Sequence, residues 1–337
     1  MYADSGNFSR CTTLWMYALD MQQKILEALS PMTQSSFVSF TELFAFMLND
    51  GVKSREALIE NFADMLLVLE KAIDEVEKGL QYFTRPYIVS RNVYKSKIYC
   101  KSAVNNVQNC NRNVDNLHNS SNVSSSTSPV LPGHRYMSNS IDRDGTHLRR
   151  TIMVTLQIIY LATKLYPNMT KHHHQRLHEV VYRLVKLDPR TSNNWSLLHI
   201  ACSTETMSTV GRHPVCIFPN REVVEILLKV GADTMALDNV LNSPLHILAQ
   251  TKCPQSIFEL LVTYGAHFDA ANKDGDTFES MVRLNEKNVK YEGTKINPVG
   301  HQTLKCLAAR AIKKYDVPLP SPIHSSIDKF LDMHSPF

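Results

Sequence analysis

Trp195-Ser-Leu-Leu-His-Ile-Ala201 recurs as Asn242-Ser-Pro-Leu-His-Ile-Leu248, and Val223-Val-Glu-Ile-Leu-Leu-Lys-Val-Gly-Ala-Asp233 recurs as Ile257-Phe-Glu-Leu-Leu-Val-Thr-Tyr-Gly-Ala-His267. Gly231 and Gly265 are 34 residues apart, close to the ankyrin period of about 33. Each part of the unit has a mechanical role. The Ser-Pro-Leu-His stretch starts a first helix, the Val-x-x-Leu-Leu face packs a second, and the following Gly takes the left-handed turn into the next hairpin. His199 and His246 are therefore expected to be structural, tying backbone between repeats. His199 and His246 are 47 residues apart, so the first unit holds an insertion of about 14 residues over that period, roughly Ser203 to Asn220. Asn272-Lys-Asp-Gly-Asp-Thr277 opens a third unit, but Phe278-Glu279 replaces Pro-Leu, which reads as a degenerate final repeat.

On the N-terminal side the pattern is also helical. Leu14, Ala18, Met21 and Ile25 make one stripe, ended by Ser30-Pro31, and Phe40, Leu43, Phe44 and Met47 make a second, ended by Asn49-Asp-Gly51. Ser54 caps a longer third helix with Leu58, Phe62, Leu66, Leu69, Ile73, Val76 and Leu80. Helices apolar on one side and joined by short turns stack on their neighbours as an α-solenoid. From about Arg85 the pattern dissolves, and Asn105 to Ser128 is almost all Asn and Ser. Such a stretch buries too little apolar surface to offset its ordering entropy. Helices resume near His147 to Tyr166 and from about His172 to Leu187.

The expected fold class is all-α: an α-solenoid of helical hairpins, then a short ankyrin-repeat stack, then a C-terminal helical box. The expected divisions are a TPR-like helical-hairpin segment (1–83), a disordered insertion (84–146) and a helix pair (147–187). Ankyrin repeats (188–282), a linker (283–300) and the box (301–337) follow. In the box, Leu304, Leu307, Ala308, Ala311 and Ile312 fall at i, i+3, i+4, i+7 and i+8, on one helix face. That face either caps the domain before it or docks against a partner.

Composition narrows the function classes. The 337 residues are 43% hydrophobic and 20% charged, in the range of globular domains with some loose segment. A net charge of +4 is too weak to argue for nucleic acid or a membrane surface as partner. The seven cysteines are scattered and never spaced as Cys-x-x-Cys, so they read as reduced thiols of a cytoplasmic or nuclear protein. Met1 to Arg10 lacks the apolar core of a secretory signal, and Thr151 to Tyr166, interrupted by Gln157 and Lys164, is too short to span a bilayer.

Nothing in the chain reads as an active site. His172, His173, His174 and His178 invite a metal reading, but no well-placed carboxylate or Cys accompanies them, so neither a metal nor another cofactor is expected. Tyr87, Arg91, Tyr94, Lys95, Lys97, Tyr99 and Lys101 interleave aromatic and basic residues as a nucleic-acid surface would, but read as a short basic lead into the disordered insertion. Asp142-Arg-Asp-Gly145 and Asp274-Gly-Asp276 lack the further oxygen ligands of a calcium loop.

Joined to its flanks, the repeat region resembles the Fem-one (feminisation) family of ubiquitin-ligase substrate receptors, most closely its homolog B branch. The resemblance is carried by Leu14-Trp-Met-Tyr-Ala-Leu-Asp-Met-Gln-Gln-Lys24, Leu187-Asp-Pro-Arg-Thr191, Val215-Cys-Ile-Phe-Pro-Asn220 and Leu304-Lys-Cys-Leu-Ala-Ala-Arg-Ala-Ile312. It implies a non-catalytic adaptor that brings a target to a cullin-2 ligase, with its RING subunit, through elongin B and elongin C. In that family the terminal helix is an elongin-binding box whose leading leucine, matched by Leu304, enters the elongin C pocket. The box pattern has Cys where Ala308 stands. The cullin-contacting segment maps onto Ile323 to Leu331, with Ile323, Ile327, Phe330 and Leu331 as its apolar positions and His324 where a Pro is expected. The family's long N-terminal ankyrin stack, which reads C-terminal degrons, is not matched, and a truncated gene model or isoform is the expected reason. An ankyrin scaffold for some other protein is the alternative.

Overall fold

A computed structural model describes residues 5–26, 30–49, 55–84, 145–210, 213–251, 254–288, 302–319 and 325–334. The Asn/Ser-rich stretch, the basic segment from Arg85 to Lys101, Ser54 and Ile323 lie outside them. The chain is an all-α repeat fold. Three helices come first: α1 (Ser5–Ile25), α2 (Pro31–Asn49) and α3 (Arg55–Thr84). Next come α4 (Thr146–Leu165) and α5 (Lys171–Leu187).

α4 is the centre of the N-terminal half, with almost every side chain from Thr151 to Leu165 buried. A helix apolar all round must be covered all round, and α2, the inserted hairpin and the first ankyrin helices cover it. The buried side chains of Thr151 and Gln157 on this helix are paired. Gln34 of α2 donates from Nε2 to the His147 carbonyl at 2.8 Å and to Thr151 Oγ1 at 3.1 Å, and Gln157 donates to the Thr206 carbonyl at 2.9 Å.

α3 buries Phe62, Leu66, Leu69, Ile73 and Val76, as its stripe predicts, together with Met65, Val68 and Ala72. α1 departs from its predicted stripe: Leu14, Ala18, Met21 and Ile25 are exposed, whereas Leu19 is buried and Trp15 packs on Phe40 at 4.9 Å between ring centroids. The larger ring decides the face, because Trp and Phe each remove far more apolar area from water than an Ala or Met.

The ankyrin region holds α6 (Leu197–Ala201) and α7 (Arg221–Lys229), then α8 (Pro244–Ala249) and α9 (Gln255–Thr263), then α10 (Phe278–Asn288). α10 runs six residues beyond position 282. The insertion in the first unit carries two strands: β1 (Ser208–Val210) pairs antiparallel with β2 (His213–Cys216), the strand pair found among the described residues. The hairpin sits on α4, where Phe218 meets Tyr160 at 5.8 Å.

Gly231 and Gly265 end α7 and α9 in the left-handed region, at φ 92° and 93°. In both, the Gly N–H and the next N–H reach back to carbonyls of the last turn, as in Ala232 N–H to Leu227 and Ala266 N–H to Leu261, each 3.0 Å. The two clear units are tied by their histidines. His199 Nδ1 accepts from the Ser196 N–H at 3.1 Å while Nε2 donates to the Asn242 carbonyl at 2.9 Å. His246 repeats this with Ser243 at 3.0 Å and the Asp276 carbonyl at 3.1 Å. In the third unit Ser280 stands at that position and bonds only to Asp276 and Thr277. The C-terminal part is α11 (Leu304–Tyr315) and α12 (Ser325–Met333).

Candidate functional site

α11 starts at Thr303, whose side chain caps the helix by accepting from the Cys306 N–H at 3.2 Å. Its two sides differ sharply. Cys306 and Ala309 are each 2% exposed, against the last ankyrin units, while Leu304 is 85% and Leu307 44% exposed, with Ala308 and Ala311 exposed beside them. Ile312 is half-buried. The apolar stripe of the sequence therefore faces away from the domain, and the helix is held by its small-residue side. Small side chains let the helix lie close to the repeat, and the larger leucines remain available to a partner.

Behind α11 four ligand-type side chains meet. His267 and Asp269, just after α9, Cys306 on α11 and His334 at the end of α12 place one donor atom each within 4.8 Å of one another. His267 Nδ1 is 2.8 Å from Cys306 Sγ, and Asp269 Oδ1 is 3.6 Å from His334 Nε2. Burial pushes the Cys306 thiol up, but His267, His334 and Thr303 outweigh it and bring it down to about 6. Cys216, buried without such partners, is instead pushed up to about 12. Burial also works against a charged His334, but Asp269 and Cys306 hold that ring up to about 10. The Asp269 carboxyl, which burial would raise, is held below its ordinary range by His334. An open cleft of about 280 Å³ nearby is lined by Asp269, Thr277, Glu279, Ser280, Arg283 and Arg310. Cys306 does not line it, so a molecule in the cleft would not meet the sulfur.

No family model matches the chain. Whole-chain comparison does find relatives. It is 35% identical over 335 residues to fem-1 homolog A-A of Mus musculus, covering 99% of this chain and 41% of that protein. It is 36% identical to fem-1 homolog A of Homo sapiens, covering 99% and 40%, and 34% identical to human fem-1 homolog C, covering 99% and 44%. The chain belongs to the fem-1 family. These matches, to homologs A and C, establish the family rather than its homolog B branch. The chain spans about two fifths of the length of these fem-1 relatives.

Against the fem-1 box expected from sequence, α12 divides its apolar positions. Ile327 is 49% exposed, whereas Leu331 is buried and Phe330 packs on His267 and His334 at 5.4 and 4.6 Å. Two bonds fix α12 in place, the Ala271 N–H to the Met333 carbonyl at 2.9 Å and Lys313 to Asp332 at 3.0 Å.

The histidines of α5 are not brought together as ligands. His173 serves the Thr170 cap and His174 Nε2 lies 3.0 Å from the Tyr166 carbonyl. Among the described residues the one ligand-type group is the set at α11 and α12, which the sequence reading missed. Its only local trace is in the repeat itself, where Asp233 of the first unit becomes His267 in the second.

Proposed function

We propose that this chain is the ligase-docking part of a substrate-recognition adaptor, joining elongin B and elongin C, and through them cullin-2 and its RING subunit, to a target protein in the cytoplasm or nucleus. The observation that carries this reading is the outward face of α11. Leu304, Leu307, Ala308 and Ala311 present a contiguous apolar stripe on a helix whose other side is already buried. Leu304, at the first helical position and almost fully exposed, is the anchor that enters the elongin C pocket, as a helix-in-groove contact requires. Cullin contact then falls on Ile327 and the solvent side of α12, because Phe330 and Leu331 are used internally. The chain performs no chemistry in this role; it holds the ligase arm at a fixed distance from the target.

Co-purification with elongin B and elongin C, wild type against Leu304→Ala, tests it. Binding by wild type that the variant loses, with helical content unchanged, supports the adaptor. A folded wild-type chain that binds no elongin removes that role and leaves an ankyrin scaffold for another protein.

A further inference from the structure

We propose that His267, Asp269, Cys306 and His334 form a tetrahedral site for a divalent metal ion of the zinc class, which clasps α11 and α12 to the last ankyrin units. The ligands are His267 Nδ1, an Asp269 carboxylate oxygen, Cys306 Sγ and His334 Nε2. The inference is independent of elongin binding.

The donor set comes first. Two imidazoles, one thiolate and one carboxylate suit zinc, which takes nitrogen, sulfur and oxygen ligands with no preference imposed by d electrons. One thiolate and one carboxylate neutralise the two positive charges, so the filled site is buried without net charge. Zn–N and Zn–S bonds of about 2.0 and 2.3 Å at tetrahedral angles put neighbouring donors roughly 3.3–3.6 Å apart. The 3.6 Å between Asp269 and His334 already matches, and the 2.8 Å between His267 and Cys306 has only to open slightly. The widest donor separation, 4.8 Å at most, has to close by roughly 1 Å, within reach of side-chain rotation.

The second observation is that two of the donors, Asp269 Oδ1 and His334 Nε2, in residues 6% and 0% exposed, are buried with no hydrogen bond and face only each other at 3.6 Å. Buried polar atoms are rarely left so, and a metal between them satisfies both at once.

The surroundings aim the donors, as outer-shell contacts do in metal sites. His334 donates from Nδ1 to the Phe330 carbonyl at 2.8 Å, which turns Nε2 to the cluster, where the metal takes the place of its proton. Gln302 donates to Asp269 Oδ2 at 3.2 Å, leaving Oδ1 for the metal. Thr303 Oγ1 lies 2.9 Å from the sulfur and fixes its direction from the helix cap. A Cys–His nucleophilic pair is the competing reading of the same atoms. It needs a route to the sulfur, and Cys306 is 2% exposed.

The test uses the full chain without an affinity tag, stripped with chelator, loaded with one equivalent of Zn²⁺ and read by native mass spectrometry, with Co²⁺ as a spectroscopic probe. The expected result is one zinc per chain and, with cobalt, tetrahedral ligand-field bands plus a thiolate-to-cobalt charge-transfer band. Cys306→Ser abolishes the charge-transfer band, and His334→Ala weakens binding by tenfold or more. The double variant His172→Ala/His173→Ala keeps full occupancy. Asp269→Asn, which preserves shape, is read alongside in case the other ligand variants fail to fold, and it also loses at least tenfold in affinity. Failure of the wild type to retain zinc, undiminished retention in the folded ligand variants, or a cobalt spectrum without the thiolate band overturns the site.

Discussion

Acidification should loosen the ankyrin stack through a buried imidazole. His199 is fully buried, accepts at Nδ1 from the Ser196 N–H and donates from Nε2 to the Asn242 carbonyl, so both ring nitrogens are committed in the neutral form. Burial, the largest influence, brings its pKa from 6.5 down to about 4, against the opposing pull of the Asn242 carbonyl. A base whose folded pKa lies below its unfolded value costs stability as pH falls. The unfolded chain takes up a proton near pH 6.5 and the folded chain does not until about pH 4. Each pH unit in that window is worth about 1.4 kcal/mol, so between roughly pH 7 and pH 5 the loss through His199 is about 2 kcal/mol. His246, lowered for the same reason, adds to it. Urea unfolding followed by circular dichroism at those two pH values measures the loss, and His199→Gln isolates its source. Gln at the third helical position keeps a capping box with Ser196 but has no proton to gain. The variant should therefore be less stable than wild type near pH 7, with the gap narrowed by about 2 kcal/mol near pH 5. Ionisations shared by both proteins cancel in the difference. Equal acid losses in wild type and variant would refute the assignment of His199 as the titrating group.

Other outcomes follow from single contacts. Phe258 is fully buried, stacked on Phe278 at 4.8 Å and edge-on to Phe268, so Phe258→Ala should cost about 3–5 kcal/mol in chemical denaturation. Gly231→Ala meets no atom within 4 Å, so its penalty is that of a side chain at φ 92°, roughly 1–2 kcal/mol, read as a lowered urea midpoint with unchanged slope. Leu304→Ala should leave stability within about 0.5 kcal/mol of wild type, because an almost fully exposed side chain has little packing to lose; a larger drop by the same assay would make Leu304 part of the core rather than a docking residue.

The legibility of the fold varied with how local its determinants are. The two clear repeats could be read because their devices sit within a few residues of one another: Ser196 with His199, Ser243 with His246, and a Gly one turn past each Val-x-x-Leu-Leu face. The face of α1 could not be read from its period. Trp15 and Leu19 run beside Leu14 and Ala18, and the choice between the two stripes is made by Phe37 and Phe40 on another helix. The insertion in the first unit carries an apolar run, Val215-Cys-Ile-Phe218, but Ser208–Val210 is too short to announce a strand that pairs with it, and Phe218 packs on Tyr160 of another element. On α11 the stripe was visible but not its direction, which the buried Cys306 and Ala309 determine. The four-residue cluster was the least legible feature. His267 and Asp269 are in one unit, Cys306 lies 37 residues beyond Asp269, and His334 is 28 further on, so no spacing rule could join them.

The histidine ties give the ankyrin array a polarity. Each of the two clear units hands its imidazole proton to a carbonyl of the unit that follows it, and neither receives the same service in return. A unit of this kind is incomplete without a successor: cut after residue 241, the array would leave the His199 Nε2–H with no acceptor at Asn242. The third unit breaks the dependence, because the short hydroxyl of Ser280 reaches only atoms of its own turn. Ser280 thus works as a full stop in the grammar of the array, and the position where that unit no longer demands another repeat is the position where α11 and α12 can take over its exposed flank.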